Sequence, residues 1–320
     1  MRKNRSLHVF ALHFGVLAAL FLLQFILPQY HHLALTRIMV LAVFAMGYNL
    51  LFGYAGLLSL GHAMFFAAGL YGAGLSAYYL EFNALEAFLA GIVSGFLASL
   101  LIGLIVLRTT GVAFMIVTMM FSQVAYLASL YFTSVTRGDE GLVLPESARI
   151  FSFAGLAVDL TNPVQRYNLA LALLAITMVV MLVVARGPIG RVLTAIRENE
   201  PRTLMLGFDT PRVKLLALTL SGTLSASSGA AYALLFSYVG SSFASTQYSI
   251  EALLFTLMGG AGTVLGPLLG TLAMFYMIDI ASAYTTAYLL FIGLALVLLV
   301  LFFPKGILGT IRQRWMSWLP

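Results

Sequence analysis

The chain has 320 residues, of which 61% are hydrophobic and 9% charged, with a mean hydropathy of +1.00. A soluble domain carries about a quarter of its residues as charges, so this composition excludes a water-soluble enzyme and points to a polytopic membrane protein. The net charge of +6 is spread along the chain rather than gathered into a nucleic-acid-binding patch, and the absence of cysteine excludes disulfides, thiolate catalysis and Cys-ligated metal.

A membrane-crossing helix needs roughly 20 apolar residues. Arg2, Lys3 and Arg5 precede an apolar run from Leu7 to Leu27, longer than a signal-peptide core and without an A-x-A-like cleavage site, so a retained first span is expected over His8–Leu27. Pro28–His32 form a turn, and Leu33–Phe52 the second span. The third lies within the Gly- and Ala-rich stretch Gly53–Tyr79, the fourth over Ala84–Leu107 and the fifth over Thr110–Phe132. Residues 133–166 are polar and hold no span, Tyr167–Ala185 is the sixth, and Val213–Phe236 the seventh. Ile250–Ile280 is interrupted by Gly259, Gly260, Gly262, Gly266, Pro267 and Gly270, and reads as two helices, one of them short or re-entrant. Ala287–Phe303 is the last, closed by Pro304-Lys305-Gly306. The expectation is an all-α polytopic membrane protein of about ten spans, a single transmembrane domain over 1–320 with polar connections at 133–166 and 187–212.

Orientation follows from the basic residues. With the N-terminus inside, only Arg37, Arg137, Arg149 and Arg166 of the 17 Lys and Arg fall outside, so both termini are expected in the cytoplasm. The inner stretch Gly187–Lys214 is the most informative polar interruption. Ile189, Val192, Leu193 and Ile196 share one helical face, Pro188 suits the first helical position, and Pro201 predicts the end of the helix. About three turns are too few to be stable alone in water, so the apolar face must dock on something. In the seventh span Ser221, Ser225 and Gly229 repeat every fourth residue, as do Gly222, Ala226 and Ala230; Ala68/Gly72 and Gly69/Ala73 do so in the third. Such spacing lets helix backbones approach closely, and tight packing within the chain is the expected use.

Polar residues at membrane depth are functional candidates because they are costly there. They are Asn49, Ser59, His62, Gln123, Glu251 and Asp279, of which Glu251 and Asp279 read as lying near watered helix ends. His62 follows Gly61 and is expected to make a structural hydrogen bond to a backbone carbonyl rather than a proton relay. No second ligand sits at metal spacing, and there is no G-x-x-x-x-G-K-[ST], so neither a metal nor P-loop binding of ATP is expected in this chain. The stretch GGAGTVLGPLLG marks a helix break. With no catalytic constellation and few buried charges for a coupling ion, the chain reads as a translocation path whose energy comes from elsewhere. A self-contained secondary transporter or channel is the alternative.

Four blocks carry a resemblance. Asn49 to Ala63, NLLFGYAGLLSLGHA, resembles the NLxxGYAGQLSLGHA signature of the LivM-type permease subunits of branched-chain amino-acid ABC importers, and Gly190 to Glu200 resembles their GRALxAIREN segment, continued by Leu206-Gly207 and Lys214 to Ala217. Gly259 to Pro267 and Phe303 to Gly309 complete the match in the family's order. The resemblance implies a type II ABC importer permease fold in the bacterial inner membrane, partnered by a second, LivH-type permease, two cytoplasmic ATPases that hold ATP-Mg, and a periplasmic binding protein. It implies that this chain has no cofactor or catalysis of its own, and that the loop after the sixth span is the helix coupled to the ATPase, with Arg191, Ala195, Ile196, Arg197, Glu198, Asn199, Glu200 and Gly207 as contacts. The pathway candidates are Asn49, Tyr54, Ser59, His62, Gln123 and Glu251. The cargo expected is a branched-chain or other apolar amino acid; relatives that carry urea, short amides or aromatic acids supply alternatives. Leu57 stands where the family has Gln, and Thr136-Arg137-Gly138-Asp139-Glu140-Gly141-Leu142 departs from T-G-G-[ST]-[ND]-G-L, which singles out Arg137, Asp139 and Glu140 as binding-protein contacts.

Overall fold

The computed structural model describes residues 2–153, 156–287, 290, 293–294, 297–298, 301–302 and 305–314. Its helices are α1 (Arg2–Leu23), α2 (Gln29–Asn49), α3 (Ala63–Tyr79), α4 (Ala84–Val106), α5 (Val112–Tyr131), α6 (Thr133–Thr136), α7 (Pro163–Arg186), α8 (Pro188–Met205), α9 (Thr210–Phe236), α10 (Thr246–Gly259), α11 (Gly266–Tyr284) and α12 (Gly306–Arg314). Their starts are legible locally. Asn83 accepts from the backbone N–H groups of Leu85 and Glu86 while Glu86 accepts from the Asn83 N–H, a closed capping box for α4. Asn162 caps α7 in front of Pro163, and Asp209 caps α9 in front of Pro211.

Each expected helix through Tyr284 is present, though not every one is by itself long and apolar enough to count as a span. Among the described residues five helices qualify as spans: 29–54, α4, α5, α7 and α11, with His8–Leu23 apolar but shorter. At 17 and 14 residues, α3 and α10 reach about 26 and 21 Å at 1.5 Å per residue, less than the roughly 30 Å hydrocarbon core. In α9 Arg212, Lys214 and a run of serines dilute the hydropathy of a helix long enough to cross. Most of the expected final span, Ala287–Phe303, lies outside the described residues. The bundle is all-α, with two short strand pairings outside it: β1 (Leu142–Val143) of the 133–166 connection pairs antiparallel with β4 (Tyr238–Val239) after α9, and β2 (Ile150–Phe153) with β3 (Leu156–Asp159) inside the connection. Extended polar chain outside the hydrocarbon can satisfy its backbone in hairpins, which span-finding by hydropathy does not register.

The bundle is organised around α2. Of its most apolar stretch 89% is buried, against 22–39% for the other four spans, and every residue from Ile38 to Leu51 is enclosed. It packs against α7, α9, α10 and α11, while α3, α4 and α9 form the tightest trio. The small-residue repeats are used there. A Cβ added to Gly69 would lie 2.0 Å from the Ala226 carbonyl oxygen, and one on Gly229 2.0 Å from that of Phe66, so these backbones touch. Serine hydroxyls cross this and the adjoining seam: Ser94 of α4 donates to Ala68 O of α3 (2.6 Å), and Ser221 and Ser228 of α9 donate to Gly47 O and Val40 O of α2 (2.5 Å each). Each such bond is worth about 0.6 kcal/mol in a membrane protein, so the close backbone packing, not the hydroxyls, dominates.

Candidate functional site

The C-terminal end of α2 does not stop cleanly. It passes into a π-helical turn, Leu50–Tyr54, and then into irregular chain up to α3. Wide turns of this kind redirect side chains and recur at functional sites. Here the turn presents Asn49 to the break between α10 and α11, where Gly262 takes a positive φ of 74° that favours glycine. Asn49 clamps that loop at two points, its Oδ1 accepting from the Gly262 N–H (2.9 Å) and its Nδ2 donating to Thr263 O (2.9 Å). Arg197 of α8 donates to Gly53 O on the same turn, its stem crossing Gly56, and Arg312 of α12 donates to Gly262 O (3.1 Å). Tyr54, Arg197, Thr263, Lys305 and Arg312 surround a cavity of about 660 Å³ whose lining, among the described residues, holds three basic residues and no carboxylate.

His62, at the head of α3, is fully buried and edge-on to the rings of Tyr48 and Phe65. Its Nε2 lies 3.1 Å from the Ser221 hydroxyl, which spends its own proton on Gly47 O, so Nε2 carries the imidazole hydrogen. That is a structural link from α3 through Ser221 of α9 to α2. Ser59 accepts from the Gly61 N–H (3.3 Å) and stays within its own turn. Gln123 faces outward from α5 and Glu251 is half-buried on α10; neither lines the cavity. Of the pathway candidates, the structure therefore brings together Asn49 and Tyr54, joined by Arg197.

The apolar face of α8 is satisfied within the chain only in part: Val192 is half-buried and Ile189 exposed. Leu193 and Ile196 are buried, and α8 packs on α7, α9 and the π turn. Full burial of such side chains contributes about 1.5–3 kcal/mol each, enough to hold a helix of this length in place. The helix bends at Asn199 (φ −161°, ψ 97°), whose Oδ1 accepts from the Arg202 N–H (3.0 Å), so Asn199 caps a second short segment that begins around Pro201. Glu200 forms an ion pair with Lys214 and accepts from the Thr210 hydroxyl (3.0 Å). Arg191 and Glu198 are exposed, and Ala195 is half-buried. The largest exposed apolar feature of the loop lies beyond these: Leu204, Met205 (87% exposed), Leu206 (71%) and Phe208, around Gly207 with its positive φ. The sequence showed that LMLGF run, but the 3.6-residue pattern drew attention to the face that the fold buries.

At the opposite, N-terminal end α2 exposes only Gln29, Tyr30, Leu33 and Arg37. Arg37 Nη2 donates to the Tyr232 hydroxyl (2.6 Å), with its guanidinium 5.6 Å from the ring centres of Tyr232 and Phe236. Across a groove of about 330 Å³ stands Asp279 of α11, which accepts from the Tyr30 hydroxyl (2.5 Å). Arg37 was detectable in the sequence as a basic residue inside an expected span. In the 133–166 connection, Arg137 donates to the Tyr78 hydroxyl (2.7 Å) and lies over its ring, Asp139 accepts from Ser241 (3.4 Å), and Glu140 is exposed.

The chain is similar to the high-affinity branched-chain amino acid transport system permease protein LivM of Salmonella typhimurium, 27% identical over 298 residues that cover 87% of this chain and 70% of that protein. The LivM protein of Escherichia coli is 26% identical over the same shares, and the LivH permease of Salmonella typhimurium 23% identical over 84% of this chain and 91% of its own length. No solved structure matches the chain. The family described as the branched-chain amino acid transport system permease component matches residues 32–301, and the chain belongs to that family of multi-pass membrane permeases.

Proposed function

We propose that this chain is one of two membrane subunits of an ATP-driven importer in the bacterial inner membrane, forming half of a path for branched-chain or other apolar amino acids. The observation that carries the reading is the family match across residues 32–301. Its partners are a LivH-type second permease, a periplasmic binding protein that delivers the cargo, and two ATPase subunits that hold ATP-Mg. Both termini and the C-terminal end of α2 face the cytoplasm, in keeping with the distribution of basic residues. The ATPase docks on the exposed edge of the 187–212 loop, Arg191, Glu198 and the apolar run 204–208 about Gly207, with Asn199 shaping its bend, while Ile196, Arg197 and Glu200 tie that edge to the membrane domain. Arg197 is then the shortest link from ATPase to path, since its guanidinium holds the π turn of α2. Glu140, with Arg137 and Asp139 bracing its loop, meets the binding protein.

Co-expression with the other four subunits tests the reading. Uptake of labelled leucine into proteoliposomes should require the binding protein and ATP. Transport by this chain alone, without any ATPase, would replace the reading with that of a self-contained carrier.

A further inference from the structure

We propose that the groove at the N-terminal end of α2 is a recognition point on the path for a zwitterionic amino acid, with Arg37 taking the carboxylate, Asp279 the ammonium, and Leu33, Phe236 and Phe275 the hydrocarbon side chain. This rests on the amino-acid reading above and names residues that would enforce it.

The argument begins with exposure. α2 is the most enclosed span, yet Tyr30, Leu33 and Arg37 stay open at i, i+3 and i+7, a single helical stripe. Arg37 lies eight residues along the helix, about 12 Å from its start. A cation within an apolar span is costly unless it faces a cavity or pathway. It has a hydroxyl and two aromatic faces for neighbours, but among the described residues no carboxylate. Asp279 is complementary: its Oδ2 accepts from Tyr30, its Oδ1 has no bond among the described residues, and no cation pairs with it there. Two opposite charges on neighbouring helices line one groove without pairing to each other. A molecule that carries both signs completes both. The groove, about 330 Å³, is within the range of roughly 300–1,000 Å³ found for small-molecule sites, and its aromatic and aliphatic walls suit an apolar side chain. Urea or a short amide would leave both charges unpaired, and an aromatic acid would leave Asp279 so. A bidentate guanidinium–carboxylate bond is also the strongest neutralisation available to an amino acid's carboxylate.

Because the chain contains no cysteine, Leu33→Cys places a lone reporter thiol of this chain in the groove. In the full transporter in nanodiscs, labelling by a methanethiosulfonate reagent is followed on this chain's band with and without L-leucine. Leucine should slow labelling about threefold or more, whereas leucinamide and 4-methylpentanoate, each lacking one charge, should not. Arg37→Gln and the isosteric Asp279→Asn should each remove the protection and, with Leu33 restored, lower binding-protein-dependent leucine uptake about tenfold while the complex still assembles. If leucine is transported but labelling is the same with and without it, the recognition point is overturned and the importer reading stands. If the thiol is unreactive in the assembled complex, the groove is a covered seam between subunits and the proposal falls. If uptake is of an amide or aromatic acid and not of leucine, the amino-acid reading fails and takes this site with it.

Discussion

The two ends of α2 handle charge in opposite ways. At the C-terminal end, Asn49, Arg197 and Arg312 spend their polar groups on backbone atoms of the π turn and of the α10–α11 break, and the cavity beside them is lined, among the described residues, by bases without a carboxylate. At the N-terminal end, a base and an acid line one groove, each bonded to a tyrosine hydroxyl and neither to the other. The continuously buried stretch from Ile38 to Leu51 separates them. The first end is built as a joint, because its bonds tie four separate elements together. The second is built to receive, because its charges are left with capacity.

Changes at the joint should show this most strongly. Asn49→Ala leaves the Gly262 N–H and the Thr263 carbonyl unpaired inside the protein; at about 1–3 kcal/mol per orphaned group, thermal unfolding in detergent should occur several degrees lower. Unchanged melting would mean the clamp is dispensable. Arg197→Ala should act on coupling more than on stability: ATP hydrolysis by the assembled complex persists, while substrate transported per ATP falls about tenfold or more. Equal loss of hydrolysis and uptake would place Arg197 in the docking surface instead. Met205→Ser with Leu206→Ser removes exposed apolar surface and should weaken ATPase retention during purification by about tenfold, at roughly 25 cal/mol per Å², without lowering the melting temperature. The smallest effect lies on the connection at the other end. There Asp159 accepts from the Thr161 hydroxyl and N–H (2.8 and 2.7 Å), which hold its carboxyl below the usual value. Its folded-state pKa is depressed, so its contribution is complete above the unfolded value and is lost as pH falls through the folded one, below about 4. Hydrogen exchange around 156–162 should therefore quicken there, and Asp159→Asn should remove that pH dependence.

Legibility differed between the ends for a physical reason. The joint lies in contiguous motifs: Asn49, Gly53 and Gly56 share one stretch, and the α10–α11 break announces itself through glycine and proline. Even so, the sequence left unstated that Asn49 meets Gly262, because the contact spans 213 positions. The groove was harder still. Arg37 and Asp279 were visible separately as a basic residue within a span and an acid near a helix end, and nothing local links them. For α8 the periodicity pointed to a face that must dock; Leu193 and Ile196 of it are buried while Ile189 stays exposed, and the surface they dock on belongs to α7 and α9 of the same chain.

The sequence by itself determined the solvent, the order of the helices and most of their ends, since these follow from apolar run length and from proline, glycine and capping residues acting within a few positions. Only the tertiary structure decided that α2 is the axis, that α7, α9, α10 and α11 close around it, and that polar residues from distant segments converge at its two ends. Those outcomes depend on which helix faces meet, and facing is settled by packing between segments that the linear order leaves far apart.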